Sequence, residues 1–251
     1  MRLVKLFCCT LLVLAPTFAS AQTPPPDSVT EVLRQKARPG TVQDYEAARK
    51  KHMAWHKAQN DPWTWEVFEV MTGPDTGSYV IASGDHQWKD MEAWVAKMAD
   101  PDAADSQSSM GPYIASTQRE YWTQLNGLSR MPRADVQYPL ITITTYHAKP
   151  GSDAALRAAI AKVNAALDAG KYPLPTVWSV LTNGGPSPTY AVVVPRTGLG
   201  EMAPTPALLQ VLEKQLGKPA ADALVKSFFD NVVNANTELL RLRTDLSYLP
   251  N

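Results

Sequence analysis

Two histidines four residues apart, His52 and His56, are the side chains in this chain best placed to do chemistry. On a helix they share one face a turn apart, close enough to ligate one ion or to touch one ligand. Histidine titrates near pH 6.5, so a half-buried pair can move protons or sense pH. A metal would need a third ligand, and Glu66, Glu69 and His147 are the residues considered. Met53 follows the first histidine where a zincin protease carries glutamate. His52, His56 and Glu69 are therefore the catalytic candidates. Trp55, Trp63 and Trp65 crowd around the pair in sequence, with Tyr45 before them and Phe68 beyond. Such aromatics can line a pocket for a flat or apolar ligand, or can simply pack. In the second half of the chain Tyr146, His147, Trp178 and Tyr190 take the corresponding places. Tyr146 and His147 must point to opposite faces of their strand.

Other chemistries drop out. There is no G-x-S-x-G elbow, no P-loop and no calcium loop. Gly198-Leu-Gly200-Glu-Met-Ala203 looks like a dinucleotide fingerprint, but Pro204 and Pro206 spoil the helix that should hold the phosphates. Basic and acidic residues balance at 24 each, with no basic footprint for nucleic acid. The sequence calls for no cofactor; haem or a metal is the weaker alternative.

The elements that carry these residues occur twice. Arg38-Pro39-Gly40-Thr41 matches Lys149-Pro150-Gly151-Ser152, and Ser78 to Ile81 matches Thr189 to Val192, both shifted by 111 positions. Met91 falls on Met202 at the same shift, and Val67 to Thr72 matches Val177 to Thr182 one residue closer. Each copy is expected to run strand, helix, strand, strand, helix, strand. The strands are read at Val29 to Ala37 and Leu140 to Ala148, Trp63 to Met71 and Thr176 to Leu181, Ser78 to Ser83 and Thr189 to Val194. Thr41 and Ser152 are read as N-caps of helices reaching Gln59 and Ala169. The second helical regions should break near Pro101 and Gly111, and near Gly217 to Pro219. Short last strands are placed at Leu128 to Met131 and Leu246 to Leu249.

In the second copy Leu156, Ile160, Val163 and Leu167 form an apolar stripe at helical spacing. The 111-residue shift puts Tyr45, Arg49, His52 and His56 on that stripe in the first copy. The plainer expectation is a slight rotation that buries Tyr45, Ala48, Trp55 and Ala58 and leaves the histidines at the rim.

The element order is the split βαβ, or ferredoxin-like, arrangement, whose bare sheet face must be covered. The fold class expected is α+β, two tandem ferredoxin-like repeats whose sheets face each other as a pseudo-dimeric α/β barrel. The opening Glu31-Val-Leu-Arg-Gln-Lys-Ala-Arg-Pro39-Gly40, followed by a helix, resembles the dimeric α/β-barrel superfamily, and within it the NIPSNAP-type proteins. That superfamily includes cofactor-free monooxygenases and haem-binding enzymes, so the resemblance implies the fold and leaves the chemistry open. Thr142 stands where the first copy has Glu31, so chemistry resting on that acid would belong to one half.

Residues 1–21 read as a cleavable secretory signal: Arg2 and Lys5, an apolar run from Leu6 to Pro16, then Ala19-Ser20-Ala21. The run is too short to span a bilayer, and both cysteines, Cys8 and Cys9, lie inside it. Removing 21 of 251 residues leaves 230, with 22 basic against 24 acidic side chains, without a disulfide and read as periplasmic or secreted. Repeats are expected over residues 22–134 and 135–251, in a monomer or homodimer with no membrane span. The activity read first is binding of a small apolar or aromatic ligand between the repeats; the alternatives are an enzyme of the superfamily, monooxygenase-like or haem-dependent, using His52 and His56, and a partner-binding module with a filled barrel. N-terminal sequencing of the exported chain should begin at Gln22, and an uncleaved start would overturn the signal reading.

Overall fold

The paired basic-Pro-Gly turns set the frame. Gly40 (φ 80°) and Gly151 (φ 81°) adopt left-handed backbone that a side chain would disfavour, and each lets a strand double back into a helix. The computed structural model of the protein describes residues 25–250, so the signal-peptide reading lies outside the described residues. The first half runs β1 (Ser28–Ala37), α1 (Val42–Ala58), β2 (Glu66–Val70), β3 (Tyr79–His86), α2 (Trp88–Ser109) and β4 (Ile114–Gln124). The second runs β5 (Leu140–Ala148), α3 (Asp153–Ala169), β6 (Val177–Asn183), β7 (Thr189–Arg196), α4 (Leu208–Leu216), α5 (Lys218–Phe229) and β8 (Val232–Leu242). No helix among the described residues is long and apolar enough to cross a membrane.

Instead of two separate sheets, the eight strands close into one barrel in the order β1-β3-β2-β8-β5-β7-β6-β4. The strands of each half keep the ferredoxin-like order, and two antiparallel seams join the halves. At one seam Phe68, Glu69 and Val70 of β2 pair with Leu242, Arg241 and Leu240 of β8. At the other, β4 pairs with β6 from Tyr121 to Gln124. Closure leaves no sheet edge open to a foreign strand.

Several expected boundaries move. The last strands are not at Leu128 to Met131 and Leu246 to Leu249; they are the long β4 and β8 just before. Those strands are rich in Ser, Thr, Asn, Gln and Glu and expose much of their first halves, which hides the two-residue alternation. The expected segments instead make single bridges across the seams, Arg130 with Thr176 and Tyr248 with Trp65. The tail of each half thus ends on a strand entry of the other. α2 does not break at Pro101 but runs through it and stops before Gly111. In the second half the break at Gly217 separates α4 from α5. Thr41 and Ser152 precede their helices, but their hydroxyls donate to the turn carbonyls of Arg38 (3.1 Å) and Lys149 (2.6 Å) and accept no hydrogen bond from the helix amides.

Alternation along β1 sorts the two faces. Thr30, Val32 and Arg34 point into the barrel, whereas Glu31, Leu33 and Gln35 point to the helices. The interior is not filled: Val32, Phe68, Trp122, Ile141, Ile143 and Val193 are among the side chains around a cavity of about 350 Å³. Arg34 reaches into it with Glu238 at 3.2 Å and Glu120 at 3.8 Å.

One charged clamp holds α1 to the β2–β8 seam. Arg243, just past β8, donates to Glu46 of α1 (2.6 and 3.0 Å), Glu69 of β2 (3.1 Å) and Asp245 (2.9 Å). These donors, with the Tyr79 hydroxyl at 2.7 Å, hold the Glu46 carboxyl below its ordinary value against the opposing pull of burial. A lowered carboxyl contributes stability that is present above its unfolded value of 4.5 and is lost as pH falls through the lowered folded value. Glu46→Gln should therefore unfold at lower urea than the wild type near pH 6, and the gap should narrow toward about pH 3. A gap that stays constant with pH would contradict the clamp.

Candidate functional site

The α1 stripe lies where the 111-residue shift puts it. Tyr45, Arg49, His52 and His56 are all buried against the outer face of the first-half sheet, whereas Ala58 is exposed and Trp55 half-buried. The rotation that would leave the histidines at the rim does not occur. A rotated helix would strand Arg49 and both imidazoles at the surface and forfeit the partners described next.

Each histidine is fixed through Nδ1 by a carboxylate at 2.7 Å: His56 by Asp61, His52 by Asp105. Asp61 follows the helix in a turn whose residue Asn60 has φ 50°. It is buried, and it also accepts the Trp63 backbone N–H (3.0 Å), the Trp65 indole (2.9 Å) and the Trp94 indole (3.1 Å). Burial works against its charge, but these four donors win and leave the carboxyl below its usual value. An acceptor saturated in this way takes the His56 Nδ1 proton and turns Nε2 outward. The two Nε2 atoms lie 3.3 Å apart. Asp102 of α2 brings Oδ1 to 3.2 Å from His52 Nε2 and 3.3 Å from His56 Nε2. Burial lowers the His56 pKa and raises that of Asp102, yet their mutual contacts prevail. His56 ends above its ordinary value, and Asp102, facing both histidines, far below its own. His52, His56 and Asp102 are the residues able to hold a metal ion.

This cluster opens into a pocket of about 420 Å³ between the helices and the sheet, with Glu31, Gln35, Arg49, Trp65 and Arg119 also on its wall. Burial raises the Glu31 carboxyl, with Arg119 at 3.2 Å drawing it back down. Arg49 is the largest of the fully buried side chains. Its Nη2 donates to Gln35 and to the Tyr45 hydroxyl, its Nε has no partner, and none of the ion pairs among the described residues includes it.

The other sequence candidates scatter. Trp65 lines the pocket and its ring lies 5.4 Å from His56. Trp55 stacks on His52 at 5.8 Å. Trp63 is sandwiched between His86 (3.8 Å) and Trp94 (4.7 Å) and serves packing. Tyr45 sits behind Arg49, its ring 4.7 Å from Tyr79. Tyr146 and Trp178 are not in this pocket; they belong to a second-half cluster with Phe228. Glu69 is held by Arg241 (2.7 Å) and Arg243 at the seam, away from the histidines. Of the third ligands considered, Glu66 faces the barrel interior and His147 bonds Thr189 (3.0 Å). Asp102 supplies that position instead. Asp61, Asp102 and Asp105 complete this cluster and were absent from the sequence candidates, whereas Arg49 stood on the α1 stripe without being named a site residue. The signal for Asp102 and Asp105 was present, because Met91, Trp94 and Met98 continue at helical spacing into both.

The second half is different. Leu156 and Ile160 pack there with Trp178, Tyr190 and Phe228, filling the space that the first half leaves open. The tail of the second half closes the first-half site: Tyr248 stacks on His56 at 5.9 Å, and its hydroxyl donates to the Asp61 carbonyl (2.9 Å).

Among solved structures, a candidate monooxygenase from Lactobacillus acidophilus NCFM superposes with a TM-score of 0.55 at 9% identity, covering 88% of this chain and 96% of its own. A mutant chlorite dismutase from Candidatus Nitrospira defluvii gives 0.55 at 9%, over 86% and 92%. An anthrone oxidase-like protein gives 0.51 at 13%, over 86% and 91%. The fold is that of the dimeric α/β barrels, here within one chain. No family model matches the sequence, and no curated protein does. At such identities the likeness carries the architecture and not the reaction.

Asp61→Asn should destabilise the protein by about 2–4 kcal/mol in urea unfolding, since it leaves buried donors facing an amide. A loss within about 0.5 kcal/mol would show that the four donors do not depend on the charge.

Proposed function

We propose that this protein is an exported enzyme whose active site is the helix–sheet pocket of the first half, and that its substrate is a small organic acid. The observation that carries this is Arg49. A guanidinium sealed from solvent with no carboxylate partner is costly to maintain, and it sits on the pocket wall one turn before His52 and two before His56. A carboxylate or phenolate entering the pocket would supply the missing counter-charge, with Trp65 and Trp94 beside it and the histidine cluster within reach of the bound molecule. A pocket of about 420 Å³ suits a single aromatic ring with its substituents. The fold likeness to a candidate monooxygenase and an anthrone oxidase-like protein favours an enzyme over a binder at the level of the fold and leaves the reaction class open. Placement of the chain near the NIPSNAP-type proteins, and descent of both halves from one duplicated unit, rest on the β1 opening and the 111-residue shift.

A second reading is favoured by one observation. The apolar barrel cavity of about 350 Å³, walled by both halves, is a place for an apolar ligand without chemistry.

Trp65 and Trp94 make the first pocket self-reporting. Benzoate and salicylate should change tryptophan emission saturably, benzyl alcohol should do so only weakly, and Arg49→Met should weaken both acids by at least about 10-fold, with Arg49→Lys in between. Equal binding of acid and alcohol, or acid binding indifferent to Arg49→Met, would rule out the anion anchor.

A further inference from the structure

Three atoms able to ligate a cation meet at the pocket end of the histidine cluster. Asp61 and Asp105 take the Nδ1 protons of His56 and His52, so each ring turns its Nε2 toward the other and toward Asp102. The two Nε2 atoms lie 3.3 Å apart, and Asp102 Oδ1 lies 3.3 Å from that of His56 and 3.2 Å from that of His52. Two imidazole nitrogens and a carboxylate oxygen, drawn from two helices and largely shielded from water, converge within reach of one cation. A single proton can bridge only one of the three edges.

We infer that His52 Nε2, His56 Nε2 and Asp102 Oδ1 are the ligands of one divalent metal ion, of the zinc class. The edge lengths select the geometry. In a tetrahedron the ligand–ligand distance is about 1.63 times the bond, so bonds of about 2.0 Å give edges of about 3.3 Å. All three observed separations, 3.2, 3.3 and 3.3 Å, match. In an octahedral face the factor is about 1.41, and the same edges would require bonds of about 2.3 Å, longer than first-row imidazole bonds.

The surroundings are those of a metal centre as well. Both imidazoles carry a carboxylate on the far nitrogen, the arrangement that orients a ligating histidine and strengthens it as a donor. Asp61 is itself anchored by three tryptophans, so the His56 ring cannot swing away. The three ligand residues themselves line the pocket, together with Glu31, Arg49 and Arg119, so an ion there would have an open side. Three protein ligands and one open position distinguish a reactive site from a structural one. An ion there would hold a water or a substrate oxygen as a Lewis acid, next to the arginine that anchors an acid group. The inference stands on the donor set alone and holds whether or not an organic acid binds at Arg49.

The test uses the untagged mature chain, stripped with a chelator and titrated with Zn(II) by calorimetry and with Co(II) by visible absorption. The expected result is one ion per chain, the intense absorption of four-coordinate cobalt, and a rise in Tm on adding zinc. Asp102→Asn and His52→Gln should each weaken zinc by at least about 10-fold and Asp105→Asn by about 10–100-fold, whereas Arg49→Met, which removes a nearby positive charge, should not weaken it. Circular dichroism confirms that each variant is folded. Should Asp102→Asn fail to fold, His52→Gln and Asp105→Asn decide the matter. No stoichiometric uptake, or uptake insensitive to these substitutions, would overturn the metal site. The weak absorption of six-coordinate cobalt would overturn its zinc-like geometry. Loss of benzoate binding with zinc uptake intact would count against the substrate reading alone.

Discussion

The carboxylate of Asp61 is the constraint on which the first half depends. It is a buried anion, and what makes it tolerable is a set of four donors drawn from α1, from the loop into β2, and from α2. Those donors cannot be satisfied elsewhere without exposing an indole or turning His56. The charge therefore fixes the distance between the two helices, the entry of the chain into β2 and the orientation of a histidine at once. A hydrophobic residue of similar size would pack but would leave three N–H groups and an imidazole without partners. The cluster is consequently both the most demanding and the most specific part of the core.

The two halves meet the same geometric requirement in different ways. Each needs a helix face to seal the outer side of its sheet. The second half uses Leu156 and Ile160 with Trp178 and Phe228, an apolar solution that leaves little room. The first uses polar side chains whose hydrogen bonds impose fixed spacings, so a gap persists between helix and sheet. At the positions 111 residues after Asp61 and Arg49 stand Tyr172 and Ile160, which shows how completely the polar framework is confined to one side.

The sequence displayed the architecture well because strand-helix order and basic-Pro-Gly turns are local signals. The α1 stripe was legible by comparison with its apolar counterpart. What escaped was long-range or masked. Closure through β4 and β8 depends on strands whose Ser, Asn and Thr content conceals their period. Asp102 and Asp105 were lost because Pro101 reads as a break, although the Met91, Trp94, Met98 spacing runs straight through it. Asp61 sits in a turn, where an aspartate is ordinary, and its partners lie on three separate segments. The place of Arg49 was visible in the stripe, but its lack of a counter-ion is a property of the folded surroundings alone.

The crossed tails have a consequence for how such a chain can change over time. Tyr248, encoded at the far end, covers His56 near the beginning, while Arg130 does the reciprocal service by bridging to Thr176. Each half is finished by the other's last residues. Once the halves hold each other's closing pieces, they are no longer interchangeable parts. A split into two free chains would need both to be made together and in equal number. Covalent linkage thus frees one half to specialise, because its plainer companion is always delivered alongside it.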